Sequence, residues 1–283
     1  MTTLKPTMMW LTGLLLGGLV AIASTDGLSK TDFDGAGKPE PAIDPLKARM
    51  FRTCADPHNL PFSNIEGEGF ENKLAEFFAQ KLNKGLFYAW FPQATGFVRN
   101  TLGAHKCDVI MGMPRGNDLV QVTKPYYHTA YTLIYKPDNG LDGVVTLTDA
   151  RLHGKRIGIV AGTPPAGAMA DNGLLAASKS YPLVIDTRVD SSAAAMVRDL
   201  VTGNIDAGVL WGPLAGYYAG RSNIPLKVVP LATEAGGPRL DYWIGMGVRS
   251  SEEEFERSLD TLIQENRSDI KRLLSDFGIP LLN

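Results

Sequence analysis

The chain has 283 residues, with 28 Lys and Arg against 30 Asp and Glu, a formal net charge of -2, 44% hydrophobic residues and 20% charged ones. This globular composition excludes collagen, coiled coil and general disorder, and the length accommodates two modest domains. The near-neutral balance excludes nucleic acid or an anionic membrane as a partner held by bulk charge. Two cysteines without paired histidine spacing exclude a zinc site built from four cysteines, or from two cysteines and two histidines.

Met1–Thr7 carries one cationic side chain, Lys5, and is followed by the charge-free apolar run Met8–Ile22 and the small-x-small pattern Ala21-Ile22-Ala23. Charge, apolar run and small residues in that order predict a secretory signal over residues 1–23. A membrane span needs about 20 apolar residues, more than this run supplies, so a cleaved signal is expected rather than an anchor. Stable membrane insertion after its removal is not expected. No Cys follows to carry a lipid. Residues 24–45 are rich in Asp, Gly, Lys and Pro, with little to bury against their ordering entropy, and are expected to be flexible. Export to an oxidising compartment would let Cys54 and Cys107 pair, and closing that loop is worth about 4 kcal/mol in the chain-entropy model. The alternative is two buried thiols; the pair is the expectation.

From residue 46 onward, strand and helix signals alternate. Met50–Asp56 reads as a strand running into a loop, Pro57–Gly69. Phe70, Leu74, Phe77, Phe78 and Leu82 recur at helical spacing. Leu86–Phe91, Cys107–Met113 and Tyr126–Tyr135 read as strands, and Phe97–Leu102 as a short helix. A second unit repeats the pattern. Leu147–Leu152 reads as a short helix, then Arg156–Val160 as a strand. A helix opens at Gly162-Thr163-Pro164-Pro165, with Thr163 as a candidate cap. Leu183–Asp186, Ile205–Leu210, Leu226–Leu231 and Tyr242–Val248 read as strands, a helix follows Ser191 or Ser192, another begins at Gly212, and two helices close the chain. The fold class is α/β: two lobes, each a mainly parallel sheet flanked by helices. Lobe 1 is expected over 46–137 plus 239–283 and lobe 2 over 138–238, with hinge crossings at Pro137–Gly143 and Ala235–Pro238. Such lobes face a cleft at the carboxyl ends of their strands.

Several motifs carry a resemblance. Asp56 with Pro61-Phe62, Pro125-Tyr126-Tyr127, Gly154-Lys155-Arg156-Ile157-Gly158, Gly162-Thr163 and Asn204-Ile205-Asp206-Ala207 resemble the type II periplasmic solute-binding proteins of the polar amino acid branch (family 3-like). Cys54–Asn64, Gly69–Lys73 and Cys107-Asp108-Val109 are similar to the J proteins of methanol oxidation (MxaJ/XoxJ type). That resemblance implies a non-enzymatic periplasmic accessory of a methanol dehydrogenase dependent on pyrroloquinoline quinone, acting in its maturation or activation. It also implies a monomer that holds no cofactor of its own.

Departures from the amino-acid binders shape the expected site. Those proteins grip the ligand carboxylate with an Arg before the Pro-Tyr-Tyr strand, where this chain has Gly116, with Arg115 one place away. They hold the ammonium with an Asp, where this chain has Trp211, whose indole N–H only donates. A buried zwitterion needs a fixed partner for each charge. The expected cleft is therefore aromatic and nearly uncharged: Phe62, Tyr126, Tyr127 and Trp211, with Asp56, Asn59, Arg115 and Thr163 as polar points. Tyr126 and Tyr127 are adjacent on a strand, so only one can face the cleft. Trp211 could instead close the core of lobe 2. Asp56, His58, Glu66 and Glu68 lack the spacing of a hard-cation site and read as a solvated loop; no metal is expected. The alternative function is an ABC-importer receptor for a small polar or organic solute. No enzyme is expected, because no nucleophile–base motif or P-loop is present.

Overall fold

The structure, a computed structural model, describes residues 49–283, which belong to one compact unit. The expected signal and flexible segment lie outside the described residues. No helix among those described is long and apolar enough to cross a membrane.

The first sheet is built on β1 (Met50–Ala55), which pairs in parallel with β4 (Gly85–Trp90) and β5 (Val109–Pro114). The loop between β1 and the first helix holds a small antiparallel pair, β2 (His58–Asn59) with β3 (Ser63–Asn64). Helix α1 (Phe70–Lys81) buries Phe70, Leu74 and Phe78, the face set by its apolar spacing. A single turn, α2 (Phe97–Asn100), precedes β5. β6 (Gln121–Val122) adds to the sheet through β12 (Asp241–Val248), which lies antiparallel to β5. Two terminal helices, α6 (Glu253–Glu265) and α7 (Arg267–Asp276), close one face, burying Leu259, Ile263, Ile270 and Leu274 with Phe51, Phe70 and Phe78. On the opposite face Cys54 and Cys107 form a disulfide, Cα–Cα 5.4 Å, packed with Phe97, Leu102 and Met113.

The second sheet contains β8 (Ile157–Val160), β9 (Lys179–Tyr181), β10 (Ala207–Trp211) and β11 (Lys227–Pro230). β10 runs parallel to β8, and β8 parallel to β9. Helices α3 (Pro164–Asp171), α4 (Ser192–Thr202) and α5 (Gly212–Gly220) cover it. Separate apolar clusters form on its two faces, one around Leu133, Ile157 and Val209, the other around Ile134, Met196 and Leu200. Ser191 caps α4, its hydroxyl accepting from the Ala194 N–H at 3.3 Å. Thr163 precedes α3 without a side-chain cap; its hydroxyl donates to the Val160 carbonyl at 2.7 Å. The predicted strand Leu183–Asp186 is instead an irregular segment with Leu183 59% and Val184 80% exposed, and the edge strand is β9 just before it. Pro182 lacks the N–H that a ladder would need at that point. The predicted helix over 147–152 reduces to a 3-10 turn, Ala150–Leu152.

One strand joins the two sheets. β7 (Tyr127–Tyr135) pairs antiparallel with β12 over Tyr127–Ala130, then with β10 over Tyr131–Tyr135 and β11 over Thr132–Tyr135. Its partners change at Tyr131, whose N–H donates to the Leu240 carbonyl and whose carbonyl accepts from the Leu231 N–H, both at 2.8 Å. The full order is β4-β1-β5-β12-β7-β10-β8-β9, with β11 beside β7 and β6 beside β12.

Candidate functional site

A cavity of about 480 Å³ opens between the two sheets, at the carboxyl ends of β5, β8 and β10. This is the place where parallel α/β sheets leave strand ends and backbone groups free for ligands.

Five of the residues predicted for the cleft line this cavity: Asn59, Phe62, Tyr127, Thr163 and Trp211. Trp211 ends β10 and leads directly into α5. Gly212 allows that sharp join, because a Cβ there would lie 2.6 Å from the Ala130 carbonyl oxygen of β7. The indole meets Tyr131 and Tyr242 edge-on, with centroids 5.2 and 5.7 Å away, and both rings also line the cavity. Trp211 packs against the core of the first sheet as well, so it serves cavity and core together. Of the adjacent tyrosines, Tyr127 lines the cavity and Tyr126 turns away, donating its hydroxyl to the Met111 carbonyl at 2.5 Å. The alternation of a strand separates them.

Asp56 and Arg115 are also absent from the lining. Asp56 is 5% exposed, and its carboxylate accepts from the His58 N–H at 2.8 Å and the Gln93 N–H at 2.6 Å, fastening the loops around the cavity mouth. Arg115 leaves β5 on the solvent side, in a turn whose next residue, Gly116, has φ +85°, and its guanidinium is exposed.

The cavity holds a carboxyl that the sequence analysis does not single out. Glu71, the second residue of α1, is 9% exposed and lines the cavity. Its position follows from the way α1 is anchored. The Phe70 N–H donates to the Pro61 carbonyl at 2.8 Å, and the Glu71 N–H to the Phe62 carbonyl at 2.9 Å. Asn72 Oδ1 accepts from the N–H groups of Asn64 and Gly69, at 3.0 and 3.1 Å. The carboxyl lies over β5 at Gly112, where a Cβ would come 2.2 Å from Glu71 Oε1. Among the described residues no hydrogen bond or ion pair engages this carboxyl, and burial alone pushes its pKa from the ordinary 4.5 up to about 8. Its charge in turn raises the Tyr126 and Tyr127 hydroxyls, which burial already pushes well above their ordinary range. Among the described residues no Lys, Arg or His lines the cavity.

A second cavity of about 490 Å³ adjoins the first, sharing Asn59, Val160, Leu183, Leu210 and Leu214 with it. Its guanidinium, Arg188, is engaged by Asp186 through bonds of 2.8 and 2.6 Å, which hold the Asp186 carboxyl down at about 2. Among the described residues no group of three or more His, Cys, Asp or Glu side chains is placed to hold a metal ion.

Two α/β lobes threaded by a common strand, with a cavity at the strand ends between them, define a two-lobed periplasmic binding protein of the type II fold. Solved structures match this architecture. The periplasmic binding protein XoxJ from Methylobacterium extorquens AM1 aligns with 38% identity and a TM-score of 0.70, covering 82% of this chain and 99% of that one. MxaJ from Methylophaga aminisulfidivorans MPT aligns with 28% identity and a TM-score of 0.72, covering 82% of this chain and all of that one. Protein MoxJ of Methylorubrum extorquens AM1 is 28% identical over 251 residues, 83% of this chain and 82% of its own length. The chain belongs to the MoxJ/MxaJ/XoxJ family of type II periplasmic binding proteins. No family model matches it.

Proposed function

We propose that the protein is a periplasmic accessory of a quinoprotein methanol dehydrogenase, assisting the maturation or activation of that enzyme, rather than a nutrient receptor or an enzyme in its own right. Family membership supports the methanol-oxidation setting. The chemistry of the cavity carries the preference for an accessory role: among the described residues it contains one uncompensated acid and no cation. An amino acid would leave its own carboxylate unpaired in a low-dielectric space next to Glu71, at a cost of several kcal/mol. The importer-receptor alternative draws support from the fold alone, which many functions share. In this reading the cleft residues are Asn59, Phe62, Tyr127, Thr163 and Trp211, joined by Glu71, and the first lobe crossing lies where β7 changes partners at Tyr131, ahead of the Pro137–Gly143 segment expected from the sequence.

The test is capture of the dehydrogenase from periplasmic extract by the immobilised full-length mature protein, combined with quinone content in a deletion strain. The proposal requires specific capture and a dehydrogenase that is underloaded or less active in the deletion strain. Absence of capture with unchanged loading overturns it. A thermal-shift screen of amino acids and small organic acids tests the receptor: a true ligand at 100 times its dissociation constant adds about 2.7 kcal/mol of stability.

A further inference from the structure

We propose that the cavity between the lobes is a binding site for an organic ammonium group, with the Glu71 carboxylate as counter-charge and the rings of Trp211, Tyr131, Tyr242 and Phe62 as its walls. This assigns a ligand class to the cavity used by the proposed function, and rests on that reading only in sharing the space.

Three observations converge on this ligand. Glu71 is more than nine-tenths buried, faces an open space, and no described residue supplies a donor to its carboxyl. Buried carboxyls are ordinarily paired or hydrogen-bonded within the fold. α1 nevertheless holds this one in place through four backbone-directed bonds around Pro61–Asn72, and Gly112 clears room for its oxygen. Five rings line the cavity: Trp211 contacts both Tyr131 and Tyr242 edge-on, and Phe62 and Tyr127 join them. Aromatic faces attract cations, best those that shed water readily, and alkylated ammonium ions do so. Burial keeps Glu71 protonated up to about pH 8, so an ammonium ion binds with release of that proton and then neutralises the carboxylate; with no Lys, Arg or His in the described lining, an anion or a zwitterion would bring a charge that nothing there offsets.

A bare metal ion fits less well. Hard cations take six or more oxygen ligands and favour several carboxylates, and here the one described carboxylate would be supplemented by neutral amide, phenol and hydroxyl groups from Asn59, Gln93, Tyr127, Tyr131, Tyr242 and Thr163. An alkylammonium needs one anionic contact and apolar surroundings, which this cavity provides. The ammonium can come from a free amine or from a lysine side chain carried on a partner's loop; the recognition chemistry is the same.

The experiment is isothermal titration of the mature protein with choline and n-butylamine, with 3,3-dimethyl-1-butanol as the neutral isostere of choline, and with Nα-acetyl-lysinamide as the protein-borne mimic. Choline is expected to bind at least tenfold more tightly than the neutral alcohol, and in Glu71→Gln this preference is expected to shrink to the few-fold that the aromatic walls supply, while the alcohol's affinity holds. Binding of the lysinamide comparable to butylamine assigns the site to a protein lysine; preference for the free amines assigns it to a small ligand. The proposal is overturned if choline and the alcohol bind equally, if no ammonium probe binds, or if Glu71→Gln retains the full preference. Far-ultraviolet circular dichroism confirms that the variant is folded, and Trp211→Leu, which leaves the carboxyl in place, is expected to weaken choline by severalfold. A failed titration leaves capture of the dehydrogenase as a separate result, so the two readings fail independently.

Discussion

Replacing Glu71 with Gln is expected to change stability in a way that depends on pH in one direction only. In the folded protein the carboxyl titrates at about 8, against an ordinary 4.5 in the unfolded chain. The folded state therefore holds its proton more tightly. Stability from this group is fully present below pH 4.5 and is lost as pH rises through about 8. Each pH unit in that window contributes at most about 1.4 kcal/mol, so the full window contributes at most about 5 kcal/mol. Water entering from the cavity mouth solvates the charged form and lowers this, so about 2–5 kcal/mol is expected. Glutamine matches the protonated acid in shape and does not titrate. Wild type and variant should be close at about pH 4.5, and the variant should be more stable by that amount at about pH 9. Urea denaturation of both proteins across this range, extrapolated to water, measures the difference, and titrations elsewhere in the molecule cancel between them. A difference that stays constant with pH would refute the claim that an unpaired, buried carboxyl sits in the cavity.

Gly112→Ala should cost about 1–3 kcal/mol, because its Cβ collides with Glu71 Oε1; the loss should shrink when Glu71 is also shortened to Ala, which a double-mutant cycle reads directly. Removing the disulfide with Cys54→Ala and Cys107→Ala should lower stability by about 2–4 kcal/mol, since the bridge closes a sequence separation of 53; equal melting of the pair variant and the parent would contradict this. Arg249→Met should cost about 3 kcal/mol. Its guanidinium is 11% exposed, holds the Leu102 and Cys107 carbonyls at 3.1 and 2.5 Å, and pairs with Asp108 and Glu252. A denaturation midpoint unchanged from the parent would rule out that anchoring role.

The period of apolar residues made α1 legible, since Phe70, Leu74 and Phe78 share one face, and the same reasoning found the last two helices. The aromatic wall could be anticipated from Phe62, Tyr127 and Trp211, because each lies beside a strand end or on a strand whose direction the α/β alternation implies. Glu71 was harder to see, because a charged residue in the first turn of a helix is ordinarily explained by the helix dipole. A signal was nonetheless present: Glu71, Ala75 and Phe78 stand at i, i+4 and i+7, and all three are buried. Arg115 and Asp56 were harder for a different reason. Their placement depends on turn geometry at Gly116 and on the Asp56 carboxylate's bond to the Gln93 N–H, which links segments distant in sequence and leaves no periodic trace. The partner change within β7 was hidden for the same reason, since Tyr127–Tyr135 is one uninterrupted strand by composition.

That strand has a mechanical consequence. Tyr127 and Tyr131 both face the cavity from β7, four residues apart, on either side of the point where its hydrogen bonds pass from one sheet to the other. Anything that wedges the two rings apart or draws them together must twist a backbone segment that is hydrogen-bonded into both sheets at once. Filling or emptying the interior therefore strains both sheets through one shared strand.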